Sequence, residues 1–303
     1  MKLALAQYPV SYFEHWEAFE EKLTHWVQDA AATGAELLVF PEYGSMELTS
    51  LLPREVQADV RPQLSALQPF HDRYVELYVR LARQYGVYLI AGSFPVQEEA
   101  GFLNRAYLLT PAGEVHFQDK LVMTRFENEQ WGVDAATTGL KVFDTERGHI
   151  GINICYDSEF PPLARAQAEA GADLIVVPSC TDAVTGYYRV QVGSRARALE
   201  NQVFVAHASL VGEAAWNEAI DVNVGAAGVY GPIDHGFSPT GDGIVVLGEL
   251  NEPGWVYADL DLQTLRRVRE AGQTFNVRDW PHGVRQAQPG ARVIRVKEPA
   301  PQD

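Results

Sequence analysis

Apolar positions recur along the chain in two periods, and the alternation between those periods lays out its elements. From Phe13 the apolar residues Trp16, Phe19, Leu23, Trp26 and Ala30 fall three or four apart. That spacing places them on one face of a helix, which Gly34 ends. The helical period returns over 70–85, over Leu163 to Ala170, over about Gly186 to Glu200, and after Asp261, which is placed to cap a last helix through Glu270. Between these lie strands expected at Lys2 to Gln7, His149 to Ile154, Asp173 to Val177 and Val203 to Ala208, and two continuous apolar strands of the kind buried on both faces, Glu36 to Phe40 and Val87 to Phe94. Asn104 to Leu109, the turn Thr110-Pro111-Ala112-Gly113 and Glu114 to Lys120 read as a hairpin. Further strands are expected near Lys141–Phe143, Val229–Tyr230, Ile244–Val246 and Trp255–Ala258. The stretch 44–69 reads as loop and short helix, and 124–139 as a polar loop.

Strands alternating with helices, followed by antiparallel pairs, predict a layered α/β domain. No composition break marks a linker before about Gly272. The expected organisation is therefore one domain over 1–272 and an irregular tail over 273–303, punctuated by Pro281, Gly283, Pro289, Gly290 and Pro299 and suited to a subunit contact.

Composition narrows the function. With 303 residues and 47% hydrophobic content the chain can bury a large core. Its formal charge of −16 repels nucleic acid and anionic membrane surfaces, so neither is an expected partner. No apolar run reaches membrane-spanning length, the start is too short and polar for a secretory segment, and two cysteines make no disulfide framework. The expectation is a cytoplasmic protein. The eight histidines are scattered and no Cys or His group has zinc-ligand spacing, so no metal or other cofactor is expected.

Three strand ends carry chemistry. The run Gly148-His149-Ile150-Gly151-Ile152-Asn153-Ile154 delivers Cys155 to a point where Asp157, Ser158 and Pro161-Pro162 stop the strand and a helix follows. A Cys ending a β run is usually a small buried hydrophobe. At a strand-to-helix elbow, however, nearby amides and the helix dipole favour a thiolate and any oxyanion formed beside it. Glu42 follows Leu38-Val39-Phe40-Pro41, and Lys120 closes the hairpin. Carboxyl ends of strands gather on one rim, where open α/β proteins bind ligands.

In this order and spacing the three residues resemble the Glu-Lys-Cys triad of the nitrilase superfamily of carbon–nitrogen hydrolases, over residues 1 to about 270. The likeness rests on Leu38-Val39-Phe40-Pro41-Glu42, on Phe117-Gln118-Asp119-Lys120-Leu121 and on Gly151-Ile152-Asn153-Ile154-Cys155-Tyr156-Asp157 with Phe160-Pro161 after it. The helix Ser194-Arg195-Ala196-Arg197-Ala198-Leu199-Glu200-Asn201-Gln202 supports it, with Arg197 and Glu200 expected as an ion pair. Asp119 departs from the aromatic or Arg that often precedes the lysine. The resemblance implies a four-layer α-β-β-α sandwich, a homodimer or larger homo-oligomer, and a second glutamate after the lysine. Glu127 is the choice for that role, since Trp131-Gly132 lies four and five residues beyond it, and Glu129 is the reserve.

Cys155-Tyr156-Asp157 resembles the amidase-type branches rather than the Cys-Trp-Glu of nitrile-cleaving members. Pro178-Ser179-Cys180-Thr181-Asp182 and Gly231-Pro232-Ile233-Asp234 look most like a branch in some members fused to an acetyltransferase domain. The implied reaction is hydrolysis of a small-molecule amide through a Cys155 thioester. Glu42 would act as base, and Lys120 and the Tyr156 backbone N–H as oxyanion donors. Carbamoyl or nitrile substrates on the same triad, or a non-catalytic binding protein of the same fold, are the alternatives. Tyr43, Asp182, Tyr188 and Arg189 follow rim strands and are candidate substrate-binding residues, Arg189 for a substrate carboxylate.

Overall fold

A computed structural model describes residues 1–99 and 101–296. The expected runs form as elements. Strand β1 (Lys2–Pro9) is followed by helix α1 (Trp16–Ala32), whose Trp16, Phe19, Leu23, Val27 and Ala30 are buried. Then come β2 (Leu37–Val39), a 3-10 segment Gly44–Leu51, short helices α2 (Arg54–Gln57) and α3 (Val60–Leu67), and α4 (His71–Tyr85), stopped by Gly86 in the left-handed region. Strands β3 (Tyr88–Glu98), β4 (Gly101–Leu109) and β5 (Val115–Asp119) form an antiparallel run, and β6 (Val133–Asp134) joins β4.

The second half runs β7 (Val142–Thr145), β8 (Gly148–Ile152), α5 (Pro161–Glu169), β9 (Leu174–Ser179), α6 (Val184–Asn201) and β10 (Phe204–Glu213). It closes with β11 (Val222–Asn223), β12 (Gly228–Tyr230), β13 (Ile244–Leu247), β14 (Gly254–Asp259) and α7 (Leu262–Ala271), capped as expected by Asp261.

The strand order β5-β4-β3-β2-β1-β10-β9-β8-β7 joins the two halves at a short parallel pairing of Gln7 to Pro9 with Ser209 to Val211. Alternation along β1 shows why this becomes four layers. Ala4, Ala6 and Tyr8 pack with Leu38 and Phe40 against α1 and α4. The intervening Leu3 and Leu5, with Leu37 and Val39, share a second core with Ile150, Ile152 and Val176 of the other half, which α5 and α6 cover through Ala164, Val190 and Ala198. Strands that face a helix on one side and a sheet on the other must be apolar at every position, hence the unbroken runs. The fold is an α-β-β-α sandwich.

Strand direction then gathers the chemistry. β1 runs parallel to β2 and β10, β10 to β9, and β9 to β8. β5, two antiparallel steps from β3, runs the same way as β2. The residues just past the C-terminal ends of β2, β5, β8 and β9, which are Glu42, Lys120, Cys155 and Cys180, therefore emerge on one rim.

One glycine shapes that rim. β3 changes register between Ile90 and Ser93, and Gly92 there has φ +69 with an added Cβ placed 2.1 Å from the Pro41 carbonyl oxygen. The bulge lets Ser93 Oγ accept the Tyr43 N–H at 2.9 Å while Phe40 N–H donates to Ile90 O at 2.9 Å, so it seats the turn bearing Glu42. Gly92→Ala is expected to lose about 3 kcal/mol from left-handed strain and backbone overlap together. Urea unfolding measures this as a lowered midpoint at constant slope, and an unchanged midpoint would show that the bulge yields freely.

The segment past Gly272, expected to be irregular, instead carries α8 (Asn276–Ala287), with Pro281 inside it. Its anchors are tertiary. Arg165 of α5 stacks over Trp280 at 4.1 Å, and the Gln202 side chain bridges Thr274 O and Val277 N–H, both at 3.2 Å. Composition concealed these contacts, since a Pro and a Gly outweigh helix period in so short a stretch.

Candidate active site

Lys120 is the centre of the rim. Its side chain is 1% exposed, and its ammonium lies 2.8 Å from Glu42 Oε1 and 2.8 and 2.6 Å from the two oxygens of Glu127. Asn104 Nδ2 donates to both glutamates, at 2.9 and 3.1 Å, and so fixes the distance between them. Tyr43 Oη donates to Glu127 Oε1 at 2.9 Å, and Thr124 donates to Oε2 from its backbone N–H at 3.0 Å and its hydroxyl at 2.8 Å. The free oxygen of Glu42 accepts the Cys180 N–H at 3.0 Å. Glu129, by contrast, is exposed and pairs with Arg125 at 3.2 Å, so Glu127 is the glutamate that reaches the lysine.

Cys155 sits beside this cluster, 4% exposed and with φ 47. A non-glycine residue in that region is strained by about 1–2 kcal/mol and is held there by its surroundings. Asp157 supplies much of that hold. Its carboxylate accepts the Ile154 N–H at 3.2 Å on the strand side, and the Leu121 and Val122 N–H groups at 3.2 and 2.8 Å on the lysine side. It thus clamps the cysteine elbow to the chain just past Lys120. Arg197 of α6 donates to Ser158 O at 3.2 Å from behind, and also makes the expected pair with Glu200 at 3.0 Å. Ser179 Oγ donates to the Cys155 sulfur at 3.3 Å.

Burial and charge set the protonation states. Burial pushes the Cys155 thiol well up, and the neighbouring Glu42 carboxylate adds to this, so the free protein holds a thiol. Burial also raises Glu42, overcoming the Lys120 ammonium that opposes it. For Glu127, burial raises the carboxyl but the Lys120 charge and hydrogen bond and the two Thr124 donors outweigh it, holding it below its ordinary value. Lys120 would fall on burial alone, yet Glu127 and Glu42 hold it well above the free amine. The cluster is a fixed ammonium, a fixed carboxylate and a carboxyl tuned toward neutrality beside a thiol. Burial likewise pushes Asp157 up to about 7 against its three N–H donors and the Lys120 charge.

The family model described as carbon-nitrogen hydrolase matches residues 2–270. The chain belongs to the carbon–nitrogen hydrolase family. Among curated relatives of the chain is a probable hydrolase, YhcX, of Bacillus subtilis, 35% identical over 92% of the chain and 53% of the relative. The chain thus spans about half the length of that protein. Omega-amidase NIT2-B of Xenopus laevis is 31% identical over 80% of the chain and 83% of the relative. In fold, Nit3 of Saccharomyces cerevisiae, a member of branch 10 of the nitrilase superfamily, superposes with a TM-score of 0.70 at 22% identity, over 89% of this chain and 93% of that one.

The cluster forms the floor of a cavity of about 540 Å³. Tyr43, Tyr156, Asp182 and Arg189 line it, as does Cys180. Tyr188 does not: it is 51% exposed and faces the neighbouring groove with Thr185 and Val192. Successive helical residues point about 100° apart, so along α6 Tyr187 goes inward, Arg189 toward the cavity and Tyr188 away from both. Asp119, the departure before the lysine, is turned from the site and gripped by Arg105 at 2.6 Å.

Residues that the sequence alone did not single out for the site are Asn104, Thr124, Ser179 and the Asp157 clamp. Asn104 had a signal, since Asn is disfavoured in strands and here sits inside one. Thr124 and Ser179 had none, because their roles exist only across strand ends brought together by the fold. No described helix is long and apolar enough to cross a membrane.

Proposed function

We propose that this chain hydrolyses a small-molecule amide through a thioester on Cys155, with Glu42, Lys120, Cys155 and Glu127 as its catalytic group. The observation that carries the reading is the Lys120 ammonium held between two buried carboxylates at the floor of the cavity that also holds the thiol. The name of the omega-amidase relative supports an amide over other carbon–nitrogen bonds.

A thiol kept protonated needs a base in contact with it, and Glu42, which touches Cys155 and is raised by burial despite its pairing with Lys120, suits both halves of a proton shuttle. Glu42 takes the thiol proton as sulfur bonds to the carbonyl carbon. The electron pair displaced onto oxygen meets the Lys120 ammonium and the Tyr156 backbone N–H, which lies in the first turn of the 3-10 segment Cys155–Glu159, where amides lack intrahelical acceptors. The oxyanion collapses, the carbon–nitrogen bond breaks, and Glu42 returns its proton to the leaving nitrogen. Water, deprotonated by Glu42, then cleaves the thioester, releasing the acid and restoring the thiol. Glu127 stays ionised throughout and keeps Lys120 charged and in place.

Exposed Tyr188, Val192 and Leu199 along α6, with Ile233 beside them, support a homodimer through this face. The free thiols of Cys155 and Cys180 suit the reducing cytoplasm.

Incubation with a primary amide tests the reaction. One ammonia is expected per amide consumed, and rapid acid quenching should give an intact-mass increase equal to the acyl group, mapped to Cys155. Turnover with the acyl group mapped elsewhere would refute the mechanism, and carbon dioxide appearing from a carbamoyl compound at a higher rate would move the substrate to that class.

A further inference from the structure

The charges around the cavity do not favour every amide equally. Among the described residues its only lysine is Lys120, already engaged by two carboxylates. Of its two arginines, Arg125 pairs with Glu129 at 3.2 Å and Arg189 with Glu159 at 3.4 Å, so the residue offered by the sequence for a substrate carboxylate already has a carboxylate partner. Asp182, Glu218 and Asp221 also line the cavity, and among the described residues none of the three has a cation within 4.0 Å. Among the described residues, an entering ligand meets three carboxylates without a paired cation and no unpaired cation.

The walls add a second, independent feature. Four aromatic side chains, Tyr43, Phe126, Trp131 and Tyr156, line the same space, with Tyr43 and Trp131 edge to face at 6.0 Å. The faces of such rings attract ammonium and guanidinium groups, most strongly where water is excluded. Carboxylates and aromatic faces together favour a cation and repel an anion. The whole chain, at −16, draws cations toward its surface in the same sense.

We infer that the substrate is an amide whose non-reacting end carries a positive charge, a protonated amine or guanidinium, held by the aromatic wall and the Asp182, Glu218 and Asp221 carboxylates while its carboxamide lies against Cys155. This rests on the amide-hydrolase reading above. It separates this site from one built for the half-amide of a dicarboxylic acid, which would need an unpaired arginine or lysine where this cavity has carboxylates.

The test compares three primary amides of similar length on the purified full chain by ammonia release: 4-aminobutanamide (cationic), pentanamide (its neutral isostere) and glutaramate (anionic). The expected order of kcat/KM is cationic over neutral by about tenfold or more, and neutral over anionic by a similar factor. The cationic advantage should shrink as salt rises from about 0.02 to 0.5 M, as screening of an open cavity requires. In the double variant Glu218→Gln/Asp221→Asn the ratio of cationic to neutral kcat/KM should fall toward one, through KM, whereas a structural defect would lower both substrates together and leave the ratio. Pentanamide or glutaramate turned over as well as 4-aminobutanamide, or a ratio indifferent to salt and to the double variant, overturns the inference while leaving the hydrolase intact. Turnover of none of the three, with no acyl adduct on Cys155, overturns the amide reading and this inference with it.

Discussion

Cys155→Ala is expected to lower amide turnover by at least about 10⁴-fold, because a nucleophile that forms the covalent intermediate has no substitute once removed. Folding should survive. The Cys155 side chain meets Ser179 Oγ at 3.3 Å, Cys180 O at 3.7 Å and the Glu42 carboxylate, but none of the bonds among Glu42, Lys120, Glu127 and Asn104 passes through it. Alanine tolerates φ 47 no worse than cysteine does, so stability should move by about 1 kcal/mol, the worth of one hydrogen bond. Cys155→Ser should be almost as inactive, since Glu42 is tuned to a thiol and not to a far less acidic hydroxyl. Thermal unfolding and initial rates on the same preparations check both statements. A Cys155→Ala protein retaining a tenth of the activity would move the nucleophile elsewhere, and Cys180, whose sulfur faces Asn223 at 3.3 Å, would be the only thiol left to consider.

The sequence was most informative where one physical cause sets the pattern. Runs such as Leu37-Leu38-Val39 are apolar throughout because both faces are covered, and Glu42, Lys120 and Cys155 were recognisable because each stands where such a run stops. It was least informative where several weak causes add. The helix Asn276–Ala287 depends on a stacked arginine and on Gln202 from far along the chain, which no local pattern shows. Tyr188 and Arg189 are neighbours in sequence and share the neighbouring groove, yet a helical step of about 100° lets only Arg189 reach the cavity as well. Asp157 was visible only as a residue that stops a strand. Its service as acceptor for three backbone N–H groups needs the lysine loop to be folded against it.

Lys120→Met tests the electrostatics of the floor, and its largest effect should be on stability as well as rate. Methionine nearly fills the space of the lysine stem but leaves Glu42 and Glu127 buried together with only Asn104 between them. Removing one partner of a buried ion pair typically costs about 3–5 kcal/mol, and losing one oxyanion donor alone costs about 10²–10³ in kcat. The penalty should depend on pH with a definite sign. In the wild type Glu127 is held below its ordinary value, so its contribution to stability is present above the unfolded carboxylate range near 4.5 and is lost as pH falls through the lower folded value. In the variant both carboxyls are raised above that range, the folded state binds the extra proton, and stability falls as pH rises through the window above 4.5. The gap between the two proteins should therefore widen from pH 5 to pH 8 in urea unfolding. Adding Glu127→Gln to Lys120→Met removes the second buried charge and should restore most of the lost stability while restoring no activity. A penalty equal at both pH values, or a double variant no more stable than the single one, would mean that Lys120 acts by filling space and not by balancing two carboxylates.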